Sequence, residues 1–84
     1  MGEYRDVAAK LREPSKSLRA AMPEAYSAFG ALHQATTGDG AISAKTKELI
    51  ALAISVVKQC DGCIATHARA AAKQAATAEE VAET

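Results

Sequence analysis

The sequence has no tryptophan, one phenylalanine and two tyrosines, and it has no excess of charge, because ten basic residues are balanced by ten acidic ones. Without that excess the chain lacks the electrostatic footprint by which nucleic-acid and anionic-membrane binders attract their partners, so neither partner is expected. Long apolar runs are missing as well. The longest predominantly apolar stretch, residues 49–57, falls far short of the ~20 residues that a membrane-spanning helix needs. The opening "MGEYRDVAAK" carries charge where a secretory signal has its apolar stretch, which points to a cytoplasmic protein. Bulky core formers are scarce too. Hydrophobic residues make up 49% of the chain, but alanine supplies about half of them and leaves only 18 Val, Ile, Leu, Met, Phe and Tyr residues. At roughly 25 cal/mol per Å² buried, alanine contributes little, so a thin core predicts that helix faces are buried against other copies of the chain. The length suits one domain over residues 1–84, with its motif-bearing part in residues 43–83.

What is present reads as helix throughout. Ala-rich segments are separated by Pro and Gly, and no stretch shows the period-two alternation of a half-buried strand, so the fold class is all-α. A first helix over residues 4–12 should end before Pro14, which lacks a donor, with a further turn or two over residues 15–21. Pro23 suits the first position of a helix that carries Tyr26, Phe29, Leu32 and His33 to Thr37, where "TGDG" stops it. Met22, Tyr26 and Phe29 are expected in packing, and His33 at the edge of the core or on the surface rather than in a site. Ser43 is a candidate N-cap for "AKTKELIALAISVV", whose apolar second half predicts burial on most sides. A break over residues 59–62 precedes a helix over residues 64–74. Thr77 and Glu80 form a capping box, and the helix they announce has hardly begun at Thr84, which predicts another helix beyond it.

The chemistry concentrates in "KQCDGCIATH", residues 58–67, which hold both cysteines of the chain and one of its two histidines. On one helix, Cys63 and His67 are four residues apart and face the same way. Cys60 falls at or just before the start of that helix, where unpaired N–H groups and the helix dipole favour a thiolate. The thiolate is the reactive species, and an imidazole one turn away is placed to act as base or relay. Two sulfurs at C-x-x-C spacing can also close a disulfide, one attacking an oxidant and the other resolving the product. Other readings stay open: buried inert cysteines, or a zinc site with Cys60, Cys63 and His67 as ligands and Glu48 as a fourth, although a structural zinc site usually takes its second ligand pair from a separate knuckle. Glu48 reads equally as a solvated carboxylate stabilised by the helix dipole.

Residues 45–83, "KTKELIALAISVVKQCDGCIATHARAAAKQAATAEEVAE", resemble the core of the carboxymuconolactone decarboxylase superfamily, specifically its alkylhydroperoxidase D-like branch. The matching pattern is an acidic residue, a C-x-x-C beginning twelve residues later, and a His four residues after the second Cys: Glu48, Cys60, Cys63 and His67. The resemblance implies a helical fold assembled as a homo-trimer or homo-hexamer, and a thiol peroxidase or disulfide reductase working without haem, flavin or any other cofactor, and without a metal. It further implies that Cys63 attacks an organic hydroperoxide, that Cys60 resolves the product, and that Glu48 and His67 relay the proton. A lipoyl or thioredoxin-like dithiol partner would then restore the pair. Two departures bear on this. A well-described member carries a further His between the cysteines, where this chain has Asp61 and Gly62. The negative Asp61 disfavours a neighbouring thiolate, which leaves a thiol-disulfide reductase with little peroxidase activity as the alternative enzyme. From a different class, the alternative is a non-catalytic assembly module with a metal-binding or redox-sensing C-x-x-C. Counted as continuous helix, the twelve residues from Glu48 to Cys60 span ~18 Å and the stretch back to His67 only ~10 Å. Glu48 is therefore expected to meet His67 only if its helix ends early, or if a water or a neighbouring subunit bridges them.

Overall fold

The cap residues lie where the helices begin and end. The computed structural model describes residues 2–84 as five helices: α1 (Gly2–Ala21), α2 (Pro23–Thr37), α3 (Ala44–Val57), α4 (Asp61–Lys73) and α5 (Ala78–Glu83). No strand occurs among the described residues. Pro23 opens α2, where its missing N–H costs nothing. At the far end of α2, the Lys47 ammonium donates to the carbonyl oxygens of Thr36 (2.9 Å) and Gly38 (2.7 Å), occupying acceptors that the helix leaves free. The start of α3 is satisfied twice: the Ala44 N–H donates to Asp39 Oδ1 at 2.7 Å and the Thr46 N–H to Ser43 Oγ at 3.1 Å. At α5 both halves of the capping box form. The Glu80 N–H donates to Thr77 Oγ1 and the Thr77 N–H to Glu80 Oε1. Lys45, in the first turn of α3, donates to Glu80 Oε2 at 2.9 Å and ties this short helix back to the body.

α1 differs from the sequence expectation. It is one helix of 20 residues with Pro14 inside it, not a helix stopped by proline and followed by a separate turn. Pro14 removes the hydrogen bond to the Lys10 carbonyl, but both residues are exposed, so water takes the acceptor. The half-buried Ala8 and Ser15 flank the proline in sequence, and Leu11 reaches α4; with contacts on both sides of Pro14, packing on α4 carries the helix through it.

α4 is the hub, packing most extensively on α3 and next on α1. Among the described residues the buried apolar ones are Ala44, Leu52, Ala65 and Ala71, and no large side chain is fully enclosed. A radius of gyration of 13.6 Å exceeds the about 12 Å of a compact domain of this length. Two of the three expected packing residues lie open in the single chain, Phe29 at 66% exposed and Met22 at more than half, while Tyr26 is half-buried; Leu32 is open as well. The second half of α3, expected to be covered on most sides, leaves Ile54, Val56 and Val57 open, as is Ile50 just before it. Four helices and a short fifth have too few neighbours to cover them. His33 is exposed on α2 with its ring stacked near Phe29.

Candidate active site

The turn between α3 and α4 is built by one residue with two structural duties. α3 ends in a Schellman arrangement: the Gln59 N–H donates to the Val56 carbonyl at 3.0 Å and the Cys60 N–H to the Ser55 carbonyl at 3.1 Å. The reversal puts Gln59 in the left-handed region, φ 55°, at a cost of roughly 1 kcal/mol or more for a residue with a Cβ. Cys60 therefore closes α3 with its backbone. With its sulfur it opens α4, because it is the N-cap and its Sγ accepts from the Cys63 N–H at 3.2 Å. α4 thus starts at Asp61, three residues before the sequence reading placed it.

The two cysteines are joined as a disulfide, with their Cα atoms 5.2 Å apart. Cys63 is exposed and Cys60 is half-buried. Between them, Gly62 does not act as a helix breaker and has no positive φ. Its value is spatial: a Cβ there would come within 3.2 Å of Leu11 Cδ1, so a bare backbone lets α1 approach the first turn of α4. The sequence places Leu11 with Val7 on one apolar stripe of the first helix and Gln59 in the break before α4, but gives neither a part in this turn; an αL residue that is not glycine leaves no signal for the second.

Glu48 and His67 meet directly across the α3–α4 pair, with His67 Nδ1 2.8 Å from Glu48 Oε2. The helix does end early, as expected: α3 stops at Val57 and the turn over residues 58–60 folds back, so no bridge is needed. The expected gap arose from treating the turn residues as helix. From Glu48 to the end of α3 is nine residues or ~13.5 Å, from Asp61 to His67 is six residues or ~9 Å, and two side chains cover the difference. Nor is Glu48 a solvated carboxylate, since it is only 6% exposed. A carboxylate only accepts hydrogen bonds, so Nδ1 is the donor and the lone pair of a neutral imidazole falls on Nε2. Such an imidazole, held in one tautomer by a buried carboxylate, is able to take up a proton. With the sulfurs bonded to each other, no group of three His, Cys, Asp or Glu side chains gathers to hold a metal ion among the described residues.

The family profile described as "Carboxymuconolactone decarboxylase family" matches residues 23–84. An uncharacterised protein of Cupriavidus necator is 41% identical over 81 residues, 93% of this chain and 72% of that protein. A second, described as uncharacterised protein 4 in the cox locus of Paracoccus denitrificans, is 43% identical over 56 residues, 67% of this chain and 50% of that protein. Among solved structures, an apo carboxymuconolactone decarboxylase family protein from Legionella pneumophila superposes with a TM-score of 0.89 at 41% identity, covering 99% of this chain and 74% of that one. Profile, sequence and superposition agree over α2 to α5, the part that contains the cysteine pair and the Glu48–His67 bond, and on these grounds the chain belongs to the carboxymuconolactone decarboxylase family.

Proposed function

We propose that the chain is a thiol-dependent oxidoreductase that reduces organic hydroperoxides, its Cys60–Cys63 pair cycling between dithiol and disulfide. The observation that carries this reading is the hydrogen bond between the buried Glu48 and the half-buried His67, which lies one helical turn from an exposed Cys63. His67, held by Glu48, accepts the Cys63 proton. The Cys63 thiolate attacks the terminal peroxide oxygen, the O–O bond breaks, and the alkoxide leaves as alcohol after taking a proton, so sulfur is oxidised to sulfenic acid by two electrons. The Cys60 thiol then attacks that sulfur, the S–O bond breaks, water departs and the disulfide closes. A dithiol of lipoyl or thioredoxin-like chemistry returns two electrons and two protons. The helix N-terminus supports the reading, because its dipole favours negative charge on the sulfur. The open apolar side chains of α2 and α3 support a homo-oligomer, trimeric or hexameric, in which they are covered.

Asp61, exposed at the first position of α4 and next to the pair, favours a second reading: a thiol-disulfide reductase with little peroxidase activity. Titration of thiols before and after stoichiometric hydroperoxide separates the two. Peroxidase chemistry predicts loss of both thiols in the parent protein and a trappable sulfenic acid at Cys63 in Cys60→Ser. Unchanged thiols together with rapid exchange against a dithiol favour the reductase. Unchanged thiols with one zinc bound per chain favour a non-catalytic assembly module.

A further inference from the structure

α1 does not close against α4 along its whole length. Beside their contact lies a cleft of about 390 Å³ with Leu11, Ala65 and Ala70 among its apolar lining and Arg12, Arg69 and Lys73 among its polar lining. That volume is in the range of small-molecule sites. The ion pairs among the described residues are Lys16–Glu13, Lys45–Glu80 and His67–Glu48, so the three cations of the cleft have no carboxylate partner. Of the acidic side chains on α1 and α4, Glu3, Asp6 and Asp61 line a different depression around Lys10, and Glu13 pairs with Lys16. In a chain of zero net charge, this segregation leaves one cleft cationic and unneutralised.

Its position relates it to the thiols. Thr66 and Ala70, both in the lining, follow Cys63 and His67 by three residues each and are their neighbours on the helix surface, about 5–6 Å away between Cβ atoms. The cations lie farther along. Arg69 is six residues and Lys73 ten residues beyond Cys63, which places them ~9 and ~15 Å along the axis. An occupant reaching from the exposed sulfur to the cations therefore needs an apolar body and an anionic end. Guanidinium groups pair with carboxylates through two parallel hydrogen bonds, which makes a carboxylate the fitting terminus.

We propose that the α1–α4 cleft binds the acyl chain and carboxylate of a single-chain fatty-acid hydroperoxide, with the carboxylate on Arg12, Arg69 and Lys73 and the peroxide directed to Cys63. This names the substrate class of the peroxidase reading above and rests on it. The reaction is unchanged, and the cleft adds selectivity for the charged terminus.

The test compares linoleic acid hydroperoxide with its methyl ester, below micelle-forming concentrations, using the intact protein and a dithiol donor. The ester keeps chain and peroxide and removes the charge. The expected result is a kcat/KM higher for the acid by roughly tenfold, the value of one good charge-assisted contact. Added salt lowers this advantage, and Arg12→Gln with Arg69→Gln reduces it toward unity through KM. Calorimetry with linoleate, which has no peroxide, gives a readout independent of turnover. Its binding weakens about tenfold in the same variant and in Lys73→Gln, with circular dichroism confirming that each remains helical. Equal kcat/KM for acid and ester, with linoleate binding unmoved by the substitutions, overturns the cleft assignment and leaves the peroxidase reading standing. Charge-dependent linoleate binding without reduction of either hydroperoxide overturns both the peroxidase reading and the substrate named here.

Discussion

The Glu48–His67 bond joins a buried group to a partly exposed one, and removing each partner should therefore cost different amounts. Glu48 has a side chain 7% exposed, against 27% for His67, and their 2.8 Å separation falls in the range of charge-assisted hydrogen bonds. His67→Ala takes the one side-chain partner found among the described residues from a carboxylate that water hardly reaches, and such an orphaned buried charge costs about 3 kcal/mol. Glu48→Gln keeps a carbonyl oxygen able to accept from Nδ1, and an imidazole already partly in water is resolvated, so its cost should stay below about 1 kcal/mol. Urea unfolding of the oxidised protein, at neutral pH and one fixed protein concentration, reads both. With an m-value near 1 kcal/mol/M, the midpoint should fall by roughly 3 M in His67→Ala and by less than 1 M in Glu48→Gln. The double variant should be less destabilised than the sum of the two, with a coupling of about 1.5–2 kcal/mol. Equal costs for the two substitutions, or a larger one for Glu48→Gln, would refute the argument, because water would then reach the carboxylate as freely as the imidazole.

Three further outcomes follow from local geometry. Ala75, with φ 64°, ends α4 in the same left-handed way that Gln59 ends α3; Ala75→Gly should stabilise by about 0.5–1 kcal/mol and raise Tm by roughly 2–8 °C, and an unchanged or lower Tm contradicts it. Gly62→Ala brings a methyl group against the flexible end of Leu11 and should cost under about 1 kcal/mol, less in a Leu11→Ala background; equal costs in both backgrounds would mean that α1 does not press on that turn. Glu80 is held below its usual value of 4.5 by the Thr77 backbone N–H and then by Lys45. A folded-state value below the unfolded one gives stability that is full above about pH 4.5 and is lost as pH falls through the lower, folded value. Amide protection in α5 should therefore weaken on acidification below that point in the parent protein, and Glu80→Gln should remove that pH dependence.

The helix starts were legible because each is announced by a local chemical device. Pro23, Ser43 and the Thr77–Glu80 pair act within four residues of themselves, so sequence spacing alone locates them. Pro14 misled for the opposite reason. Its local preference is overridden by contacts with α4 some fifty residues away, which no spacing in α1 reveals. The constellation Glu48, Cys60, Cys63 and His67 was visible as residue types, but the directness of the Glu48–His67 bond depended on how many residues the turn consumes. Gln59 is a residue type that seldom takes a left-handed conformation, so the strained end of α3 was hidden. The cationic cleft was hidden too. Arg12 and Arg69 are distant in the chain, and only the pairing of α1 with α4 makes them neighbours.

α1 lies outside the residues matched by the family profile, yet its Leu11 abuts Gly62 and its Arg12 lines the cleft. On the proposed reading, Arg12 is a selectivity group carried apart from the thiols, while Arg69 and Lys73 share α4 with them. Exchanging the first twenty-one residues between relatives should alter the part of that selectivity that Arg12 supplies while leaving the cysteine pair and the Glu48–His67 bond in place, so that one scaffold is able to diversify by replacing a single strut.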